Sequence, residues 1–208
     1  MILGRLYFLS VMKKRLLILM LCFGFAKMAM AQKDSLALDE HSKYIYYRVI
    51  NQGKDDANVL LVRGLDFFSE PYNRDAFKIT AKDANTHTFE VKSFFTVSKS
   101  SSLAKHDDGK ITYTLTVETR DKKYRYWLGN FVFTPYYKDR YNNMVPQPGV
   151  EIPMEAISKK IEAREAAHYL DECAAFGKKL GAKLKQYMDA EPVVKKADGK
   201  KVIDTKKW

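Results

Sequence analysis

The chain holds only two cysteines, Cys22 and Cys173, and the first falls in an N-terminal segment that reads as a leader. A chain cut behind that leader keeps one thiol, so it can form no internal disulfide. The motifs of common chemistries are missing as well. There is no Gly-rich phosphate loop and no His-Glu-x-x-His. His41, His87 and His106 fall in expected loops or at strand ends, with no Ser or Cys in a recognisable partner motif. Glu165-x-x-His168, with Glu162 and Glu172 nearby, has the form of half a carboxylate-bridged metal site. The second Glu-x-x-His that such a site needs on a facing helix does not occur, so solvated helix polarity accounts better for these residues. His106-Asp107-Asp108-Gly109 lacks the further ligands of a calcium loop. Cys173 lies beside an apolar stripe and reads as a small buried hydrophobe rather than a nucleophile. These absences predict no metal, no cofactor and no enzyme. The alternative is an enzyme whose site is assembled from residues far apart in the chain.

Long apolar runs are also lacking. Leu16 to Ala26 is apolar, but Lys27 interrupts it short of the roughly 20 residues that a helical span requires. Lys13-Lys14-Arg15 precedes the run and Ala29-Met30-Ala31 follows it. A charged n-region, a short h-region and an A-x-A site predict a signal peptide over 1–31, with Met12 as the true start and cleavage after Ala31. The residue before Cys22 is Leu21, where lipoprotein cleavage favours a small residue. The expected protein is therefore exported, periplasmic or secreted, with no transmembrane span once the leader is gone. The formal charge of +11 includes five unopposed basic residues before Gln32 (Arg5, Lys13, Lys14, Arg15 and Lys27), and their loss leaves +6. Such a balance favours acidic partners and leaves peripheral association with an anionic envelope surface open.

What is present is a pattern of strands and helices. At 46% hydrophobic and 13% aromatic, the 208 residues suffice for one domain with a real core, expected over 32–190, with a basic tail at 191–208. Ile111, Tyr113, Leu115 and Val117 alternate with Thr112, Thr114, Thr116 and Glu118, the period of a strand with one dry and one wet face. Arg120-Asp121-Lys122-Lys123 turns the chain, and Tyr124, Tyr126 and Leu128 alternate with Arg125 and Trp127 in a strand running back. Phe131 and Phe133 carry that strand on. Tyr44 to Val49, Phe77 to Thr80 and Thr88 to Val97 predict three more strands. Asp55 or Asp56 caps a helix that carries Leu61, Leu65 and Phe68 and ends at Pro71. Pro135 to Pro153 is expected as a long Tyr-rich loop, a length often associated with function, although a linker along the sheet edge explains it too. Glu155 to Asp189 predicts a second helix with Ala167, Leu170, Ala174, Gly177, Leu180, Leu184 and Tyr187 on one stripe.

Ile111-Thr112-Tyr113-Thr114-Leu115 and Arg120-Asp121-Lys122-Lys123-Tyr124-Arg125-Tyr126, in this order of elements behind a leader, resemble a family of exported bacterial domains of unknown function with a TATA-box-binding-protein-like fold. The resemblance spans roughly Tyr44 to Met188. Members favour Lys-Asp-Gly-Arg at the hairpin turn, whereas Lys122 stands here in place of the glycine. The resemblance implies an α+β domain, a curved antiparallel sheet of about five strands with two helices on one face, in the order β-α-β-β-β-β-α. It implies no reaction.

If the Tyr113 and Tyr126 sides face the core, the opposite face carries Thr112, Thr114, Thr116, Arg125 and Trp127. The same alternation assigns Tyr46 and Arg48, Lys78 and Thr80, and Glu90, Lys92 and Phe94 to it. Cations among aromatics make a candidate platform for an anionic ligand or a protein partner, with Tyr46, Arg48, Lys92, Phe94, Arg125 and Trp127 as its contact residues. The plainer alternative is the solvated face of a one-sided sheet. A basic aromatic sheet also suggests nucleic acid, but a leader argues against it, and a shared fold is no warrant for function.

Overall fold

A computed structural model describes residues 35–70, 76–99 and 107–190. The expected leader, the basic tail, Pro71 and residues 100–106 between two of the expected strands lie outside the described residues. The elements in chain order are β1 (Ala37–Leu38), β2 (Tyr44–Asn51), α1 (Ala57–Ser69), β3 (Lys78–Asp83), β4 (Thr88–Ser98), β5 (Asp107–Arg120), β6 (Lys123–Lys138), β7 (Met144–Pro146) and β8 (Ile152–Pro153). A 3-10 turn (Met154–Lys159) and α2 (Ala163–Asp189) complete the domain. All pairings are antiparallel and run β1-β2-β6-β5-β4-β3, with β7 and β8 also bound to β6. The expected α+β plan is present. The sheet has eight strands rather than five because β1, β7 and β8 are short edge pieces that carry too few residues to show a period.

Two hairpins explain those pieces. In each, an aspartate ends one strand and its carboxylate collects two backbone N–H groups of the turn. His41 and Lys43 donate to Asp39 Oδ1 at 2.9 and 2.8 Å, and Tyr141 and Asn143 donate to Asp139 Oδ1 at 2.8 Å each. Ser42 and Asn142 take left-handed backbone conformations between the donors. The segment expected as a 19-residue loop is thus a β6–β7 hairpin followed by β8, folded along the edge of β6.

α1 begins where Asp56 accepts the Val59 N–H at 2.8 Å, one of the two caps anticipated. Asp121 of the β5–β6 turn accepts the Ala57 N–H at 3.1 Å, and Lys122 N–H donates to Asp55 O at 2.8 Å. The turn is therefore tied to the β2–α1 connection. Lys122 sits at φ +63°, the left-handed conformation that a glycine would hold more easily. α2 starts at Ala163, not Glu155, because Met154–Lys159 forms the 3-10 turn. Its buried stripe runs through Ala166, Tyr169, Cys173, Gly177, Leu180, Leu184 and Met188. Ala174, Gly177, Leu180 and Leu184 of the expected stripe are buried, whereas Ala167 is exposed and Leu170 and Tyr187 are only half-buried, their places taken by the neighbouring Ala166, Tyr169 and Met188.

Both helices cover the same face. Gly64 of α1 faces the Phe89 ring, and Gly177 and Gly181 of α2 face Tyr46 and Tyr126. A Cβ at Gly181 would fall 1.7 Å from Tyr126 Oη, so the helix can lie this close only without a side chain there. Ile111, Tyr113, Leu115, Val117, Tyr124, Tyr126 and Leu128 are all buried on this face, as the alternation requires. Phe95 stacks on Phe176 at 4.3 Å between ring centroids, and Phe133 meets Tyr169 at 4.9 Å.

β6 changes parity midway. Thr112 pairs with Val132 but Thr114 pairs with Gly129, so one extra residue bulges out near Asn130, which has φ +51°. Tyr124, Tyr126 and Leu128 point inward before the bulge, and Phe131 and Phe133 after it. Further register shifts occur in β3 between Ile79 and Ala81 and in β4 between Val97 and Ser98. Bulges bend and twist their strands. β3, at the end of the sheet, has all six residues exposed. Among the described residues no helix is long and apolar enough to cross a membrane.

Candidate functional site

With both helices on one side, no element of the described residues covers the other face of the sheet. It carries a broad concavity of about 1080 Å³ that spans β3 to β6. Cross-strand register assembles its surface in rows, because directly paired residues point the same way. One row is Phe94–Thr112–Val132. The next is Lys78–Lys92–Thr114–Gly129. The third is Glu90–Thr116–Trp127–Tyr47, and the fourth is Thr88–Glu118–Arg125–Val49. The second row is low: Thr114 is short and Gly129 has no side chain. It forms a trough between Phe94 and Val132 on one side and Glu90 and Trp127 on the other. All of these wall and floor residues line the concavity.

Charge is distributed unevenly over the face. Arg125 Nε donates to Glu118 Oε2 at 2.8 Å, its Nη2 bonds the same oxygen, and its guanidinium lies 5.6 Å from the Trp127 ring centroid. Arg120 Nη2 reaches Glu118 Oε1 at 2.9 Å. Burial raises the Glu118 carboxyl, but hydrogen bonds from Arg125 and Arg120 outweigh it and hold it below the ordinary carboxylate range. Arg125 is thus engaged with an acid rather than offered to a ligand. The lysine end differs. Lys78 and Lys92 are exposed and directly opposed across β3 and β4, and Lys110 Nζ lies 5.6 Å from the Phe94 ring centroid.

Four of the six candidate residues, Lys92, Phe94, Arg125 and Trp127, share the open face as expected. Tyr46 and Arg48 do not. Tyr46 pairs with Leu128 and is only 2% exposed, packed against Gly177, and Arg48 pairs with Tyr126. Both are on the helix side, where the Arg48 guanidinium lies 4.8 Å from the Tyr46 ring centroid. The cause is that β2 reads Tyr44-Ile45-Tyr46-Tyr47-Arg48-Val49, with large apolar side chains at both parities. Ile45, Tyr47 and Val49 are the ones that turn outward. The Tyr-rich segment contributes nothing to the lining of the concavity. Tyr141, at its hairpin tip, is 71% exposed with Arg140 at 5.2 Å from its ring centroid.

Several titratable or nucleophilic groups on the helix side are engaged or buried. Cys173 is fully buried, and burial, with the nearby Glu172 carboxylate, pushes its thiol far up. His168 Nε2 lies 3.1 Å from the Ser98 carbonyl, and Tyr169 hydrogen-bonds Asp108. Among the described residues no three His, Cys, Asp or Glu groups are gathered to hold an ion.

Residues 46–134, from β2 to β6, match the model of a domain of unknown function, DUF4468, with a TBP-like fold. Two solved structures are similar over 76% of this chain at 14% identity. One is a TBP-like protein from Parabacteroides distasonis, 99% of which is covered at a TM-score of 0.57. The other is a DUF4468 family protein from Bacteroides ovatus, 92% of which is covered at 0.52. At such identity the likeness shows the fold, which is TBP-like. No curated protein matches the chain.

Proposed function

We propose that this TBP-like domain is a non-catalytic binding module that works outside the cytoplasm and contacts its ligand or partner through the concave face of the sheet. The observation that carries the reading is the placement of both helices on the opposite face, which leaves a concavity of about 1080 Å³ with an exposed Phe94 and a half-buried Trp127 in its walls. Phe94 is 52% exposed in its wall. Large aromatics left in water on a concave surface are a common mark of a recognition surface. The polar groups of the concavity are threonine and serine hydroxyls, two lysines, the Asn130 amide and a single carboxylate, Glu90, and Cys173, the thiol that could act as a nucleophile, is buried on the other side of the sheet. The leader pattern before Gln32 supports export.

Amide and side-chain NMR of the labelled protein, titrated with mixtures of acidic and neutral peptides and small amphiphiles, tests the reading. Shifts are expected at Lys92, Phe94, Thr112, Thr114 and Trp127. Saturable shifts confined to α1 and α2 would reject the concave face. N-terminal sequencing of protein recovered from the periplasm or medium should begin at Gln32; a cytoplasmic chain that keeps residues 12–31 would reject export.

A further inference from the structure

We infer that the trough across β3 to β6 takes a small, elongated amphiphile with an anionic head and a flat apolar body. The head sits at Lys78 and Lys92 and the body lies over Thr114 and Gly129 against Trp127. The inference rests on the binding role proposed for this face.

Three observations lead to it. First, Lys78 and Lys92 are direct cross-strand partners on the open face. Like charges in such a pair repel, and an anion between them removes the repulsion. Glu90 is the acid beside them in the next row, while Glu118 is held by Arg125 and Arg120. Lys110, over Phe94, adds a third cation at this end. Second, the trough narrows to one row in depth. Its floor is a threonine and a glycine, so no long side chain fills it, and a Cβ on Gly129 would make a tight 3.3 Å contact with Ile45 Cγ2. Third, the far wall is the indole of Trp127, with Arg125 packed on it. A ring offered edge or face to a shallow slot favours a flat apolar partner. From β3 to β6 are three strand spacings of about 4.8 Å, so head and body must extend over about 14 Å. The trough crosses the strands, and a ligand in it makes contacts with side chains, not strand-like pairing.

The probe is 8-anilinonaphthalene-1-sulfonate, which joins an anionic head to flat rings, set against N-phenyl-1-naphthylamine, its neutral counterpart. Both are titrated into the native protein by fluorescence. Saturable binding of the sulfonate is expected, weakened about tenfold by Lys78→Ala with Lys92→Ala and by Trp127→Ala, with much weaker binding of the neutral probe. Lys179→Ala with Lys183→Ala removes the same charge from the exposed side of α2 and should change nothing. Equal loss in that control, or neutral binding as tight as anionic, overturns the anionic head. In the second case, retained dependence on Trp127 leaves the open face as the binding surface. Binding of both probes that ignores Trp127 overturns the face itself. Self-association that Trp127→Ala abolishes, with no probe binding, would give the trough to a second copy of the chain instead.

Discussion

Strands β5 and β6 present two surfaces from one backbone, and they have little in common. The inner surface is dry and aromatic, with Tyr113, Tyr124, Tyr126, Phe131 and Phe133 buried under α1 and α2. The outer surface sets threonine, lysine and arginine around the half-buried Trp127 ring, and no element of the described residues covers it. The difference teaches where selection for stability ends. Replacing an inner residue disturbs a packed interior, whereas replacing an outer one mainly alters what the surface can contact.

Substitutions can break that contrast or sharpen it. The largest effect is expected for Tyr126→Ala, at about 3–5 kcal/mol by urea unfolding, because a large aromatic leaves a cavity beneath α2. A loss below 1 kcal/mol would show that the inner face is not the packed one. Gly181→Ala should cost about 1–3 kcal/mol, since its methyl group overlaps Tyr126 Oη and forces helix and sheet apart. If the melting temperature is unchanged, the close approach is not needed. Glu118→Gln, on the outer face, should cost about 1–2 kcal/mol at neutral pH through its hydrogen bonds to Arg125 and Arg120. The Glu118 pKa is depressed by folding, so this contribution is present above the unfolded value of about 4.3 and is lost as pH falls through the lower folded value. The gap between wild type and variant should close in acid; a gap independent of pH would remove the ion pair from the account. Trp127→Ala should change stability by less than about 1 kcal/mol while altering ligand contact. If it cost more than Tyr126→Ala, the two faces would be exchanged.

The β5–β6 hairpin was legible because the apolar residues of β5, and those of β6 up to Leu128, fall at one parity, with Trp127 as the exception. β2 was not, since Tyr46 and Tyr47 compete for the same side and only pairing with Leu128 and Trp127 decides between them. A trace of the β6 bulge was in the sequence: even positions 124, 126 and 128 are apolar, then odd positions 131 and 133, with Gly129-Asn130 between. Such a change of parity around a Gly-Asn pair signals an inserted residue. The β6–β7 hairpin could be read only from Asp139 and Asn142, because strands as short as Met144–Pro146 have no period. The trough could not be read at all. It depends on Lys78, Thr114 and Gly129 being neighbours in space, and their sequence separations carry no trace of that.

The exposed end strand has a consequence for recognition. β3 carries Lys78, Lys82 and Asp83 and is irregular between Ile79 and Ala81, features that discourage another chain from joining a sheet edge. Main-chain groups are thereby withheld from visitors. Whatever the open face distinguishes, it must distinguish with exchangeable side chains, and these can vary without disturbing the scaffold beneath. Under the binding role proposed for this face, relatives that keep this backbone would be free to read different molecules.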